Sequence, residues 1–190
     1  MKKNLLISVL MTIVTTVLLG IIYPLVITGL AQLVFKDKAN GQLIRQNGEV
    51  VGSRIIGQAF TGPGYFHSRP SNAGAGYDAA NSNGSQLGPT NHALIDRVKA
   101  DVATNQADHP GEPVPIDLVT TSASGLDPDI TPAAAEFQMA RVAKDRGVSE
   151  VQLHRLVQQH TSDRQFGFLG EPRVNVLELN LDLDAKFPTK

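Results

Sequence analysis

The sequence predicts a single N-terminal transmembrane α-helix followed by one mixed α+β soluble domain. Three observations predict it: an uncharged apolar run from Asn4 to Phe35, an Asn47-Gly48 hairpin signal, and two capped helical patterns beyond residue 130. A helix needs about 20 apolar residues to cross roughly 30 Å of hydrocarbon, and this run exceeds that. A cleaved signal peptide has a shorter apolar run, about 7–15 residues, ending in a small-x-small site, and no convincing Ala-x-Ala precedes the polar region here. Residues 1–38 therefore read as a membrane anchor with a span of roughly 7–30. Residues 39–190 read as one α+β soluble domain, large enough for an ordinary core.

Within the anchor, Pro24 follows Tyr23 and removes one helical hydrogen bond, so a kink or the end of the central span is expected there. Tyr23 suits the headgroup level. Gly20, Thr28, Gly29 and Ala31 are small residues of the kind that let membrane helices approach closely. Lys2 and Lys3 precede the span, while Lys36, Lys38 and Arg45 follow it. The positive-inside count is nearly a tie and leans only slightly to a cytoplasmic N-terminus.

Residues 40–90 read as short strands and turns. Leu43–Gln46 and Val50-Val51 flank Asn47-Gly48, and Arg54–Phe60 is expected to continue a small sheet. Residues 71–90, rich in Ser, Asn, Gly and Ala, form a long irregular loop, which in a compact domain is usually functional or mobile. A helix is expected near Asn91–Thr104, followed by the linker Asp108-His109-Pro110-Gly111-Glu112-Pro113. Thr131-Pro132 opens a helix stopped by Gly147. Ser149 and Gln152 make the capping box of another, reaching about Gln159. In the last segment Leu177, Leu179, Leu181 and Leu183 alternate with polar residues. That favours a strand over the helix start that Asn175 and Glu178 also spell.

Composition excludes several functions. Charge is balanced, with 17 basic and 18 acidic side chains, and no basic run marks a nucleic-acid face. Cysteine is absent, so disulfides and thiolate chemistry are ruled out. His67, His92, His109, His154 and His160 lack metal-ligand spacing, so no metal residue is assigned. Nor is any catalytic residue. His67 beside Ser68 and Ser71 is poor geometry for a base and nucleophile, because neighbours on an extended chain face opposite ways. Asp127 and Asp129 precede a helix N-terminus, where carboxylates are favoured without catalysis. His160, Arg164, Glu171 and Arg173 surround the turn Gly167-Phe168-Leu169-Gly170. Phe168-Leu169 would suit a docking tip, although burial against the core is the default. Ser82, Gly84, Ser85 and Gln86 faintly echo the Ser-Gly-Gly-Gln signature of transporter ATPases and are weak nucleotide candidates.

Ordered motifs supply a further reading. These are Tyr23-Pro24-Leu25, Gly57-Gln58-Ala59-Phe60, Tyr65-Phe66-His67-Ser68-Arg69-Pro70-Ser71 and Leu87-Gly88-Pro89-Thr90-Asn91. They continue with Ser124-Gly125-Leu126-Asp127-Pro128, Ile130-Thr131-Pro132-Ala133-Ala134-Ala135, Ala140-Arg141-Val142-Ala143 and the run Gly170 to Leu181. The chain closely resembles the C subunits of bacterial Kdp potassium-transporting P-type ATPases, end to end. Gln86 departs from the asparagine more usual there.

The resemblance implies a non-catalytic accessory subunit of a high-affinity potassium uptake pump in the bacterial cytoplasmic (inner) membrane. Its implied partners are a potassium-binding, channel-like subunit and an ATP-hydrolysing P-type subunit, besides membrane lipid. It implies a catalytic chaperone that raises ATP affinity, with ATP on or shared with the hydrolysing subunit and potassium bound at the level of the complex. It also implies a cytoplasmic N-terminus and an outward soluble domain. The chain has no Asp-Lys-Thr-Gly-Thr phosphorylation motif. A domain on one side of a single span cannot touch both compartments, so an effect on ATP would act through coupled states of the complex. Interface candidates are Gly20, Tyr23, Pro24, Gly29, His67, Arg69 and Arg173. The alternative is a membrane-anchored cell-envelope enzyme using His67 or His160. A ligand-binding sensor is the weaker third reading, because no paired pocket motif is visible.

Overall fold

A computed structural model describes residues 2–107 and 109–188, so Asp108 of the expected linker lies outside the described residues. The chain divides into two compact units, Met1–Val50 and Val51–Lys190.

In the first unit, α1 (Lys2–Val17), a π-helical turn (Leu18–Ile22) and α2 (Tyr23–Val34) run as one helix of 33 residues. None of its residues is buried inside the protein, and its surface is predominantly apolar, with the Ser8, Thr12 and Thr15 hydroxyls bonded back to the helix's own carbonyls, as a lipid-facing helix requires. Pro24 does not end this helix. A proline ring clashes with the carbonyl four residues earlier in a regular α-helix. Here the preceding turn is widened, and the Tyr23 N–H bonds to the Leu18 carbonyl, five residues back. The helix thus passes through Pro24 by a local π-bulge. A short α3 (Lys36–Ala39) follows. Next come β1 (Leu43–Gln46) and β2 (Glu49–Ser53), paired around Asn47 and Gly48 with φ of 52° and 87°. Those positive angles are what a tight hairpin turn needs and what Asn-Gly supplies.

Arg54–Phe60 does not continue this sheet. The Ser53 hydroxyl and carbonyl take the N–H groups of Ile55 and Ile56, at 3.3 Å each, and turn the chain away. Gly57 then bonds to the Leu126 carbonyl at 2.8 Å. The expected helix appears as α4 (His92–Gln106), with the Asn91 side chain accepting from the Ala93 N–H.

The core of the second unit is built on three helices and a small sheet. β3 (Asp129–Ile130), β5 (Arg173–Asn175) and β4 (Thr161–Ser162) form an antiparallel sheet in the order β3-β5-β4. Ile130 and Thr161 both sit opposite Val174. Against it pack α5 (Pro132–Arg146) and α7 (Val176–Lys186), and α6 (Glu150–Gln159) packs on both of those helices. Thr131 caps α5, which Gly147 ends in the left-handed region, and Ser149 and Gln152 form both bonds of a capping box on α6. Phe66, Val142, Leu153, Leu156, Val174, Leu179 and Leu183 are among the bulky members of the core.

The final segment is a helix, where the leucine alternation favoured a strand. Its buried positions are Val176, Leu177, Leu179, Asn180 and Leu183. These follow the three-to-four residue spacing of a helix face. One member of that face is Asn180, which a count of apolar residues omits. The Asn175 side chain accepts from the Glu178 N–H at 3.1 Å and starts the helix.

Candidate functional site

Tyr65–Pro70 threads through the second unit as an extended segment held by helix side chains rather than neighbouring strands. Successive residues of an extended chain direct their backbone groups to opposite sides. On one side Asn180 of α7 accepts from the Phe66 N–H at 2.9 Å and donates to its carbonyl at 2.8 Å. On the other, Gln138 of α5 accepts from the His67 N–H at 2.7 Å and donates to its carbonyl at 3.2 Å. Each amide completes a two-bond clasp of the kind a strand would supply. Arg141 adds bonds to the Pro63 and Tyr65 carbonyls. Arg146, its side chain fully buried, donates to the Gly64 carbonyl at 2.8 Å and lies over the Tyr65 ring. Its Nη2 is 2.7 Å from Asp184 Oδ1, a close ion pair set off the hydrogen-bonding direction.

The segment continues into Arg69, which faces the loop 120–127. Arg69 pairs with Asp127 at 3.0 Å and donates to the carbonyls of Thr120 and Thr121. Ser71 donates to the Gly125 carbonyl at 2.6 Å, and Tyr77 donates to the Arg69 carbonyl. Burial holds the Tyr77 hydroxyl above its ordinary pKa; Ser68 opposes the shift and Asp127 adds to it. Loop 71–90 is thereby tied to residues 120–127, and Asn83 and Ser82 both bond to the Ser124 carbonyl at 2.9 Å.

Two of the interface candidates meet. Arg69 and Arg173 line one cleft of about 230 Å³ together with Asp117, Asp127, Asp129 and Glu171. Arg173 pairs with Asp129 at 3.0 Å. Burial and the nearby Asp127 raise the pKa of Asp129 against the pull of Arg173 and Asn175. The cleft is a mixed-charge, internally paired surface. His67 lies apart, its Nε2 3.0 Å from the Gly62 carbonyl. Ser68 and Ser71 donate to the backbone carbonyls of Gln58 and Gly125, so neither aims a proton at His67. His160 sits 2.9 Å from Asp182, which also takes Lys186 at 2.8 Å. His67 thus meets a backbone carbonyl and His160 a carboxylate, and neither setting assembles a nucleophile with a base.

Of the four residues expected around the 167–170 turn, Arg164 and Glu171 pair across it at 2.6 Å. His160 and Arg173 bond elsewhere. Phe168 and Leu169 are not buried: they are 72% and 48% exposed. Ser82, Gly84, Ser85 and Gln86 do come together, lining a polar depression of about 410 Å³ with Thr121, Ser122 and Ala123. Its lining carries no cationic side chain, and phosphate recognition ordinarily uses one. Gln86 bonds to Asn83, and the Asn83 N–H is spent on Ser124. Gly20, Tyr23, Pro24 and Gly29 all lie on the exposed membrane-length helix, and a Cβ at Gly29 would meet nothing within 4 Å. What sequence reasoning missed is the clasp. Asn180 and Gln138 were legible only as polar residues placed on otherwise apolar helix faces.

The chain matches the family described as KdpC, K+-transporting ATPase c chain, over residues 5–185. It is 70% identical over 188 residues to the potassium-transporting ATPase KdpC subunit of Koribacter versatilis, covering 99% of this chain and 97% of that one. The KdpC subunit of Acidobacterium capsulatum is 58% identical over 177 residues, covering 93% and 95% of the two chains. That of Caulobacter vibrioides is 56% identical over 174 residues, covering 91% and 88%. With the family match spanning nearly its whole length, this chain belongs to the KdpC family of potassium-transporting ATPase subunits.

Proposed function

We propose that this KdpC chain holds together the other subunits of a potassium-transporting ATPase in the bacterial cytoplasmic membrane and raises the ATP affinity of the hydrolysing one. It is an accessory chain and not the catalytic one. The observation that carries the reading is the end-to-end family match on a chain whose described residues hold one membrane-length helix, followed in sequence by a folded unit. Its partners are a channel-like potassium subunit and a P-type hydrolysing subunit, with potassium and ATP bound at the level of the complex. The N-terminus is cytoplasmic and the folded unit lies outside. From there the effect on ATP is indirect, through a differential affinity of the chain for the pump's conformational states. The cation-free lining of the Ser82–Gln86 depression supports an indirect effect over a direct phosphate contact.

The test is purification of the pump with and without this chain, followed by potassium-stimulated ATP hydrolysis over a range of ATP concentrations. Omission is expected to loosen the complex and raise the apparent KM for ATP. Unchanged assembly and unchanged KM would overturn the reading. Reporter fusions after Lys38 and at the C-terminus check the orientation, and a cytoplasmic signal at both would return the polar depression to direct contact with nucleotide.

A further inference from the structure

We propose that Lys36 and Arg45 form a headgroup site for an anionic phospholipid at the C-terminal end of the membrane-length helix. The proposal rests on the membrane-anchor part of the reading above and adds a lipid specificity to it. Lys36, Asp37, Asn40, Leu43 and Arg45 line a cavity of about 460 Å³, all of them inside the first compact unit. The cavity forms where the chain leaves the helix and doubles back. α2 ends at Val34, and α3 starts at Lys36. Asn40 exchanges bonds of 3.1 and 3.3 Å with the Gln32 side chain on α2 and donates to the Lys36 carbonyl at 2.6 Å. The Gln42 N–H bonds to the Asp37 carbonyl at 3.0 Å, with Gly41 and Gln42 at φ of 82° and 49°. These bonds bring β1 back beside α3, so Arg45 and Lys36 reach one cavity.

The helix sets the depth of that cavity. No charged residue lies between Lys3 and Lys36. At 1.5 Å per residue the interval is about 50 Å. A tilt of about 20–30° reduces it to roughly 45 Å, the thickness of a bilayer with its headgroups. Lys3 then lies in one headgroup layer and Lys36 in the other. A phospholipid holds its phosphate at that level, next to the apolar boundary of its acyl chains. The cavity matches both parts, with Lys36 and Arg45 beside Leu43, which is 45% exposed.

Charge selects an anionic headgroup. Residues 35–50 carry Lys36, Lys38 and Arg45 against Asp37 and Glu49. Lys38 stands over the Phe35 ring, 6.0 Å from its centroid. Glu49 begins β2 and is not part of the lining. Asp37 is the acid of the lining, and it is already engaged within the protein. Lys36 and Arg45 are both exposed, and Arg45 makes one long bond, 3.5 Å, to the Gly48 carbonyl. A phosphate between them gains two charge-assisted contacts, one from a guanidinium fork suited to bidentate binding. A free phosphate has the same charge, but only a lipid is held at this depth and concentrated there by the membrane.

The chain has no tryptophan, so Phe35→Trp supplies a single fluorescent reporter at this level and keeps a ring beneath Lys38. The full chain carrying it is reconstituted in bilayers of phosphatidylcholine and phosphatidylglycerol. One lipid or the other bears a nitroxide near the ester end of its acyl chain, and quenching gives their relative occupancy. A preference for phosphatidylglycerol of about fivefold is expected, as two exposed charge contacts supply. Lys36→Gln/Arg45→Gln should abolish it, while Lys36→Arg/Arg45→Lys and Lys38→Gln should each keep most of it. Equal quenching by the two lipids would overturn the site. So would a loss with Lys38→Gln as large as with the double glutamine variant, the mark of diffuse attraction. Inorganic phosphate that removes the preference where chloride of equal ionic strength does not would assign the cavity to a free anion, and would sink the lipid proposal. With no quenching by either lipid the anchor reading fails along with the site; with equal quenching the anchor stands and the site alone fails.

Discussion

Asn180 closes both backbone groups of Phe66, accepting from its N–H at 2.9 Å and donating to its carbonyl at 2.8 Å, with both residues fully buried. One side chain on α7 thereby does the work of a neighbouring strand for the segment that leads to His67 and Arg69. Asn180→Ala strands a buried donor and a buried acceptor, each costing about 1–3 kcal/mol. The variant should lose roughly 2–6 kcal/mol of stability, read from urea titration of the full chain in detergent by near-ultraviolet circular dichroism. Asn180→Asp restores only the acceptor and should remain destabilised. A loss within the error of the wild-type value would show that the clasp contributes nothing net.

Glycines with similar backbone angles should behave differently according to what surrounds them. Gly125 (φ 68°) lies where a Cβ would come within 2.5 Å of the Asn83 carbonyl and 2.7 Å of the Ala73 N, both backbone atoms. Gly147 (φ 66°) ends α5 with nothing within 4 Å of a Cβ. Gly147→Ala meets only the left-handed penalty of about 1–2 kcal/mol. Gly125→Ala adds a steric clash that must move loop 71–90 from residues 120–127, so its loss should be larger. Paired urea titrations decide it; equal losses would mean that the two loops are not locked together.

Much of this architecture was legible because local chemistry and tertiary packing agree. Thr131-Pro132, Gly147, Ser149 with Gln152, and Asn47-Gly48 each work through a bond or angle within a few residues, and each does so in the structure. Legibility failed where a polar residue joined a buried face. Asn180 hid the helical period of α7 behind an alternation of leucines, and Ser53 turned the chain away from the sheet expected through Phe60. Arg69 and Arg173 were recognisable singly, but their meeting around Asp127 and Asp129 depends on the fold between them. The exposed tip at Phe168 and Leu169 reversed a burial default that holds for most large apolar side chains.

His67 should make stability depend on pH near neutrality. Burial lowers its pKa, the bond to the Gly62 carbonyl opposes that shift, and Arg141 reinforces it. The folded form thus binds fewer protons than the unfolded form, so stability rises with pH across the window between the folded and unfolded values. Full stability holds above the ordinary imidazole value of about 6.5 and is lost as pH falls through the lowered folded value. Two carboxylates also shift, in opposite directions. The Asp182 pKa is lowered, because bonds from Lys186 and His160 outweigh burial, so its contribution is lost as pH falls through that carboxylate's folded value. The Asp129 pKa is raised by burial and by Asp127, so its contribution runs the other way, present in acid and lost as pH rises. Between about pH 7.5 and 5.5, the full chain should therefore lose stability, and His67→Gln should lose less over the same interval. Parallel slopes for the two proteins would show that the His67 ring accepts a proton in the fold at no cost.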